Sequence, residues 1–234
     1  MRRSDEKEMM DLPGQPKQLL EEDLHNLRVI NWYLGGHRTV LRGLGRAVKQ
    51  QNISRFSLLD IGAGSGDIAV RIAQWARRKR IRADIVALES ESVTALAAVR
   101  QTQDVPEIAV VRGDAMLPPF PFSSFDFVLA SQLLHHFSEE QIIGLLKIWA
   151  QIARKAVIVS DLVRHPVAYH GIRIATRLFT DNVMTRTDAP LSVKRAFTVA
   201  EWRELFQRAE IGPVRIFSRF PFRILALASL EGRA

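Results

Sequence analysis

Apolar side chains along this chain recur in two periods, and the switch between them marks its organisation. Up to residue 48 the period is helical. Leu20, Leu24, Leu27 and Asn31 share one face, Gly35-Gly36 breaks the pattern, and Val40, Leu41, Leu44, Ala47 and Val48 mark a second helix. From Phe56 onward, short apolar runs alternate with helical stretches. FSLLDI (56–61), DIVAL (84–88), IAVV (108–111), FDFVLA (125–130) and AVIVS (156–160) read as buried strands. Ile68, Ala69, Ile72, Ala73 and Ala76 give one intervening helix, Val93, Leu96 and Ala97 another, and Ile142, Leu145, Leu146, Trp149 and Ile152 a third. Ser138 to Gln141 and Thr198 to Glu201 are capping boxes that open helices. The helix after Thr198 turns Trp202, Leu205, Phe206 and Ala209 inward, and Gly212-Pro213 stops it. The tail VRIFSRFPFRILALASL reads as a hairpin around Pro221-Phe222. Repeated strand–helix alternation predicts a mostly parallel α/β sheet with helices on both faces.

Two segments depart from this rhythm. Residues 1–16 are polar, with two prolines and a glycine, and are expected to fray. Residues 161–197 form an insertion in which Ala168, Ile172, Ala175 and Phe179 give one apolar helical face, and Asp188-Ala189-Pro190 is expected to end order locally. The expected organisation is a helical prefix over 1–55 and an α/β domain over 56–234 that carries the insertion.

Composition removes whole classes of chemistry. With no cysteine among 234 residues, disulfides, thiolate metal sites, iron–sulfur clusters and cysteine nucleophiles are excluded. The net charge of +8 raises nucleic acid, an acidic membrane or an acidic ligand as partners. That charge is uneven: +3 over residues 1–55, −1 over 56–130 and +6 over 131–234. Its one dense run, Arg77 to Arg82, closes a predicted helix, where cations complement the carbonyl end of the dipole, and it reads as a solvated terminus. No apolar core of a signal peptide follows the start and no apolar stretch reaches 18 residues, so a cytoplasmic protein without a membrane span is expected.

The sharpest motif is Asp60-Ile61-Gly62-Ala63-Gly64-Ser65-Gly66-Asp67, at a strand–turn–helix junction. Its alternate glycines let a ligand approach the backbone at the carboxyl end of a strand. The spacing G-x-G-x-G differs from the G-x-G-x-x-G of dinucleotide binders and from the phosphate loop of ATPases. Glu89 follows the second strand, where a carboxylate can accept from both hydroxyls of a ribose. Asp114 follows the third, where a carboxylate can accept from an exocyclic adenine amine. Together they outline an adenosine-shaped site.

Over about residues 56–230 the pattern resembles the class I S-adenosylmethionine-dependent methyltransferases: DIGAGSG at 60–66, the acid at Glu89, GDA at 113–115, LPPFPFSSFDFV at 117–128 and the hairpin tail. The resemblance implies a Rossmann-like, doubly wound seven-stranded sheet whose last strand is antiparallel. It implies S-adenosylmethionine as cofactor, S-adenosylhomocysteine as product, and a cofactor lining of Asp60, Gly62, Ala63, Gly64, Gly66, Glu89, Asp114, Ala115, Ser131 and Gln132. After the fourth strand stands Ala130-Ser131-Gln132-Leu133, in place of the [DN]-P-P-[YF] of amino-methylating nucleic-acid enzymes. The stretch to Gln141 resembles small-molecule enzymes of quinone, phenolic and polyketide tailoring.

The expected reaction is O-methylation of a small aromatic or hydrophobic acceptor, with carbon methylation of a ring as a close variant. An RNA- or protein-directed methyltransferase is the alternative, together with a protein that binds the cofactor without turnover. The prefix and the insertion would form a lid, its apolar Ile172, Ile174, Leu178, Phe179, Val183 and Met184 suited to that acceptor. His135, His136 and His165 are the candidate bases, since imidazole takes a phenol proton near neutral pH. Arg164, Tyr169, His170 and Arg173 are candidate acceptor contacts, and His37 and Arg38 reach the pocket if the prefix folds over it. No metal site is expected, because adjacent histidines in a strand or helix point apart. Either a monomer or a homodimer is compatible.

Overall fold

The computed structural model describes residues 1–230. The last four residues of the domain expected over 56–234 therefore lie outside the described residues. The seven strands are β1 (Arg55–Ile61), β2 (Arg82–Glu89), β3 (Ile108–Arg112), β4 (Phe125–Ser131), β5 (Ala153–Leu162), β6 (Val214–Arg219) and β7 (Arg223–Ser229). They form one sheet in the order β3-β2-β1-β4-β5-β7-β6. β1 to β5 are mutually parallel, and β7 runs antiparallel between β5 and β6. The expected doubly wound sheet with a closing antiparallel hairpin is the fold observed.

Eight α-helices accompany the sheet among the described residues: α1 (Lys17–Tyr33), α2 (Gly36–Gln50), α3 (Asp67–Lys79), α4 (Ser92–Thr102), α5 (Glu139–Ile152), α6 (Pro166–Phe179), α7 (Val183–Arg195) and α8 (Val199–Ala209). Alternate strand residues feed two cores. On one face, Phe56, Leu58, Phe127 and Ile158 pack with Val40 and Leu44 of α2 and Ile72 of α3. On the other, Leu59, Val128 and Val157 pack with Trp149 of α5 and Trp202 of α8. Both capping boxes form, with Ser138 and Thr198 each accepting from the backbone three residues on. Strand order reverses beside β1, and the crevice at the carboxyl ends of β1 and β4 is where such sheets take ligands.

Three expectations change in the structure. The prefix divides: α2 belongs to a sheet layer, while α1 lies over the crevice. Residues 1–16 are docked rather than frayed. Arg3 donates to the Arg195 and Phe137 carbonyls at 2.7 and 2.8 Å, and the Met9 and Met10 amides donate to the Asp188 carboxylate at 2.8 and 3.0 Å. Asp188-Ala189-Pro190 does not end order; it lies inside α7. There Met184, Ala189, Leu191 and Val193 are buried, and that packing outweighs the hydrogen bond lost at Pro190. The Arg77 to Arg82 run ends α3, and Arg77 pairs with Glu107 at 2.5 Å.

Candidate active site

The crevice is built from the ends of the parallel strands. After β1 the chain turns through Gly62, Ala63 and Gly64, and the Gly62 and Ala63 amides donate to the Leu88 carbonyl of β2 at 2.9 and 3.1 Å. Gly64 sits at φ +57°, and a Cβ there would meet nothing within 4 Å. It therefore needs glycine for its backbone and presents open space to the crevice. Glu89, at the end of β2, accepts the Gly64 amide on Oε2 at 2.9 Å and the Ser90 and Glu91 amides on Oε1 at 2.9 and 3.0 Å. Burial raises its pKa despite those bonds. Asp60 is fully buried; burial first, then Asp67 and Glu89, push its carboxyl well above the usual range. Asp114 accepts the Met116 amide at 2.8 Å. Gln132, at φ +54°, reaches up to Asn31 of α1 at 2.5 Å.

Every residue expected at the cofactor, apart from Gly66, lines one continuous cavity of about 850 Å³. Gly66 instead makes the left-handed turn into α3. Asp60 Oδ2 and Ser131 Oγ are buried there without a protein partner. Unsatisfied acceptors beside an open glycine turn suit a ligand that brings hydroxyl and amine donors, as an adenosine group does.

At its other end the cavity meets an ionisable cluster. His135 and His136 lie in a 3-10 turn, Leu134–His136, after β4. That turn is neither strand nor α-helix, so the side chains do not diverge; the ring centroids are 4.3 Å apart at 34°. His135 Nδ1 is 2.7 Å from Asp161 Oδ1 at the end of β5. Complete burial raises the Asp161 pKa, but His135 and the Leu162 amide outweigh it and hold the carboxyl below its usual range. A neutral His135 then carries its proton on Nδ1 and offers Nε2 as an acceptor. His136 Nδ1 pairs likewise with Asp11 Oδ2 at 2.9 Å. Glu8 faces both rings, 3.6 Å from His135 Nε2 and 3.9 Å from His136 Nε2. Burial pushes Glu8 up to about 7, against the opposing pull of His136 and the Ser192 hydroxyl. Arg195 anchors the turn, donating to the carbonyls of His135 at 3.2 Å, His136 at 2.7 Å and Glu6.

The remaining candidates sit elsewhere. His165 caps α6, its Nδ1 accepting the Val167 amide at 3.2 Å, and stacks on Phe222 at 4.7 Å. Arg164 is held by Glu201 at 2.5 Å and the Ala196 carbonyl at 2.8 Å. Tyr169 lies under Lys194, and His170 and Arg173 are exposed. None of these five lines the cavity, to which α6 turns Val167, Ala168, Gly171, Ile172 and Ala175 instead. His37 bonds Asp67 at 2.6 Å, and neither it nor Arg38 lines the cavity. Of the apolar lid residues Ile172 lines it and Met184 is buried, whereas Ile174, Leu178, Phe179 and Val183 face solvent. The roof comes from Leu20, Leu24, Leu27 and Ile30 of α1.

Sequence reasoning missed Glu8, Asp11, Asp161 and Arg195. Asp161 was within reach, as an acid closing an apolar strand like Asp60 and Glu89. Glu8 and Asp11 carried no signal, because no periodicity ties a polar leader to a pocket 125 residues away.

Residues 58–156 match a methyltransferase domain family. No curated protein matches the chain in sequence. Among solved structures the chain is similar to human N-acetylserotonin methyltransferase in complex with S-adenosylmethionine, at TM-score 0.62 and 17% identity over 97% of this chain and 62% of that one. It is also similar to the magnesium protoporphyrin IX methyltransferase of Synechocystis with bound S-adenosylhomocysteine, at 0.58 and 17%, covering 83% of each chain. A third likeness is to an S-adenosylmethionine-dependent methyltransferase of Aquifex aeolicus, at 0.57 and 14%, covering 80% of this chain and 88% of the other.

Proposed function

We propose that this chain, an S-adenosylmethionine-dependent methyltransferase of the class I fold, methylates a hydroxyl on a small aromatic or apolar acceptor. The observation that carries this reading is the cavity itself. One end holds the adenosine-type groups Asp60, Glu89 and Asp114, and the other ends on the buried His135–Asp161 pair, under an apolar roof from α1 and α6. A volume of about 850 Å³ shared with the cofactor suits a small molecule.

S-adenosylmethionine supplies an electrophilic methyl group when bound. Glu89 and Asp114 would take the ribose and adenine, and the turn at Gly64 would let them approach. The apolar roof would orient the acceptor ring, which is where much of the rate comes from. His135 receives the hydroxyl proton on Nε2, and ionised Asp161 stabilises the resulting imidazolium.

Transfer of labelled methyl to a panel of phenols and quinols tests this reading. His135→Asn keeps a donor for Asp161 and removes Nε2. It should slow turnover about 10²–10⁴-fold with cofactor affinity unchanged. Methylation of RNA or protein rather than any small hydroxyl would overturn the reading, as would full activity in His135→Asn.

A further inference from the structure

Glu8, His135 and His136 place three ligand atoms within 4.8 Å of one another on the cavity wall. Each histidine has its Nδ1 engaged by a carboxylate, His135 by Asp161 at 2.7 Å and His136 by Asp11 at 2.9 Å. Both Nε2 lone pairs therefore turn toward the Glu8 carboxylate. The separations, 3.6 and 3.9 Å, are too long for hydrogen bonds. Donors on a tetrahedral cation at about 2.0–2.1 Å stand roughly 3.3 Å apart, and the two imidazole–carboxylate separations, each to its own Glu8 oxygen, exceed that by less than an ångström. Carboxylate–imidazole pairs of this kind fix the ring tautomer and orientation of metal-binding histidines. Arg195 stands beside the cluster without occupying it. Its Nε lies 4.0 Å from Glu8 Oε1 and its Nη1 3.8 Å from Asp11 Oδ2, while its hydrogen bonds go to backbone carbonyls. Ser192 donates to Glu8 Oε1 at 2.9 Å, fixing the carboxylate in place.

We propose that Glu8, His135 and His136 bind a divalent first-row transition cation on the acceptor side of the cavity. Two imidazoles and one carboxylate select zinc, cobalt, iron or manganese over magnesium and calcium, and leave coordination positions open to the cavity. The site rests on donor geometry alone; its consequence for the acceptor rests on the function proposed above. A nitrogen that holds a cation cannot take a proton. In the loaded form, then, the acceptor hydroxyl coordinates the cation and releases its proton to solvent, while the cation-free form relies on His135.

Titration of the full-length, chelator-dialysed protein with Co²⁺, followed by its visible absorption, tests the site. One Co²⁺ per chain should bind with saturation. Glu8→Gln and His136→Asn should each weaken it at least about tenfold, and Asp11→Asn by about 10–100-fold. Circular dichroism and S-adenosylmethionine affinity should stay unchanged. Should Glu8→Gln fail to fold, the His136→Asn measurement decides alone. Absence of saturable binding, or binding undiminished by the His136 substitution, overturns the site. Saturable binding without methyl transfer to any hydroxyl would leave the site standing and remove the function. Turnover without binding does the reverse.

Discussion

Asp23 of α1 is a carboxylate placed where folding penalises its charge, and replacing it with asparagine exposes the size of that penalty. It is 1% exposed and lines the cavity roof. Oδ1 accepts the Thr185 hydroxyl at 2.6 Å, while Oδ2 is buried without a partner. Burial is the largest influence and Asp188 adds to it; together they outweigh the Thr185 bond and raise the pKa from 3.8 to about 6. A carboxyl raised on folding contributes fully to stability below its unfolded value and loses that contribution as pH climbs through the folded value. The loss here falls between about pH 4 and 6. A rise of that size corresponds to about 3 kcal/mol. Asp23→Asn keeps the shape and the acceptor for Thr185 but never ionises. Any constant cost of its amide cancels when mutant and wild type are compared across pH. Urea unfolding should show the stability of the Asp23→Asn variant, relative to wild type, growing by about 3 kcal/mol from about pH 4 to pH 7. That equals roughly 6–12 °C in melting temperature for a chain of this size. Parallel pH–stability curves for the two proteins would refute the reasoning.

Two further substitutions probe the crevice and the frame that holds it. Gly64→Arg meets no neighbour at the turn, so beyond the modest strain of a side chain at positive φ the protein should fold yet lose at least about 100-fold in S-adenosylmethionine affinity by calorimetry. Gly212→Ala forces a Cβ to 2.6 Å from the Ser229 carbonyl at φ +109° and should cost about 1–3 kcal/mol, read as a lower thermal midpoint with cofactor affinity kept.

No helix among the described residues is long and apolar enough to cross a membrane. The surplus positive charge that suggested acidic partners is partly spent internally: Arg164 and Arg195 clamp the insertion, and Arg223 is buried with its pKa lowered to about 10 by burial, donating to the Leu34 carbonyl at 2.9 Å.

Local pattern alone determined the sheet, its closing hairpin, both capping boxes and the glycine turn and strand-end carboxylates that line the cavity. Buried parallel strands need continuous apolar runs, and a ligand at their carboxyl ends needs glycine and carboxylate within a few residues of each strand. The histidine–carboxylate cluster on the cavity wall was decided only by tertiary structure. Glu8 and Asp11 reach His135 and His136 because Arg3 and the Met9 and Met10 amides find acceptors on or beside α7, pairings that span well over a hundred residues of chain. Pro190 reads as a break in isolation, yet burial of its neighbours carries the helix through it. Contacts between distant segments leave no period along a single chain, so the cluster around His135 and His136 became visible only when the fold brought its residues together.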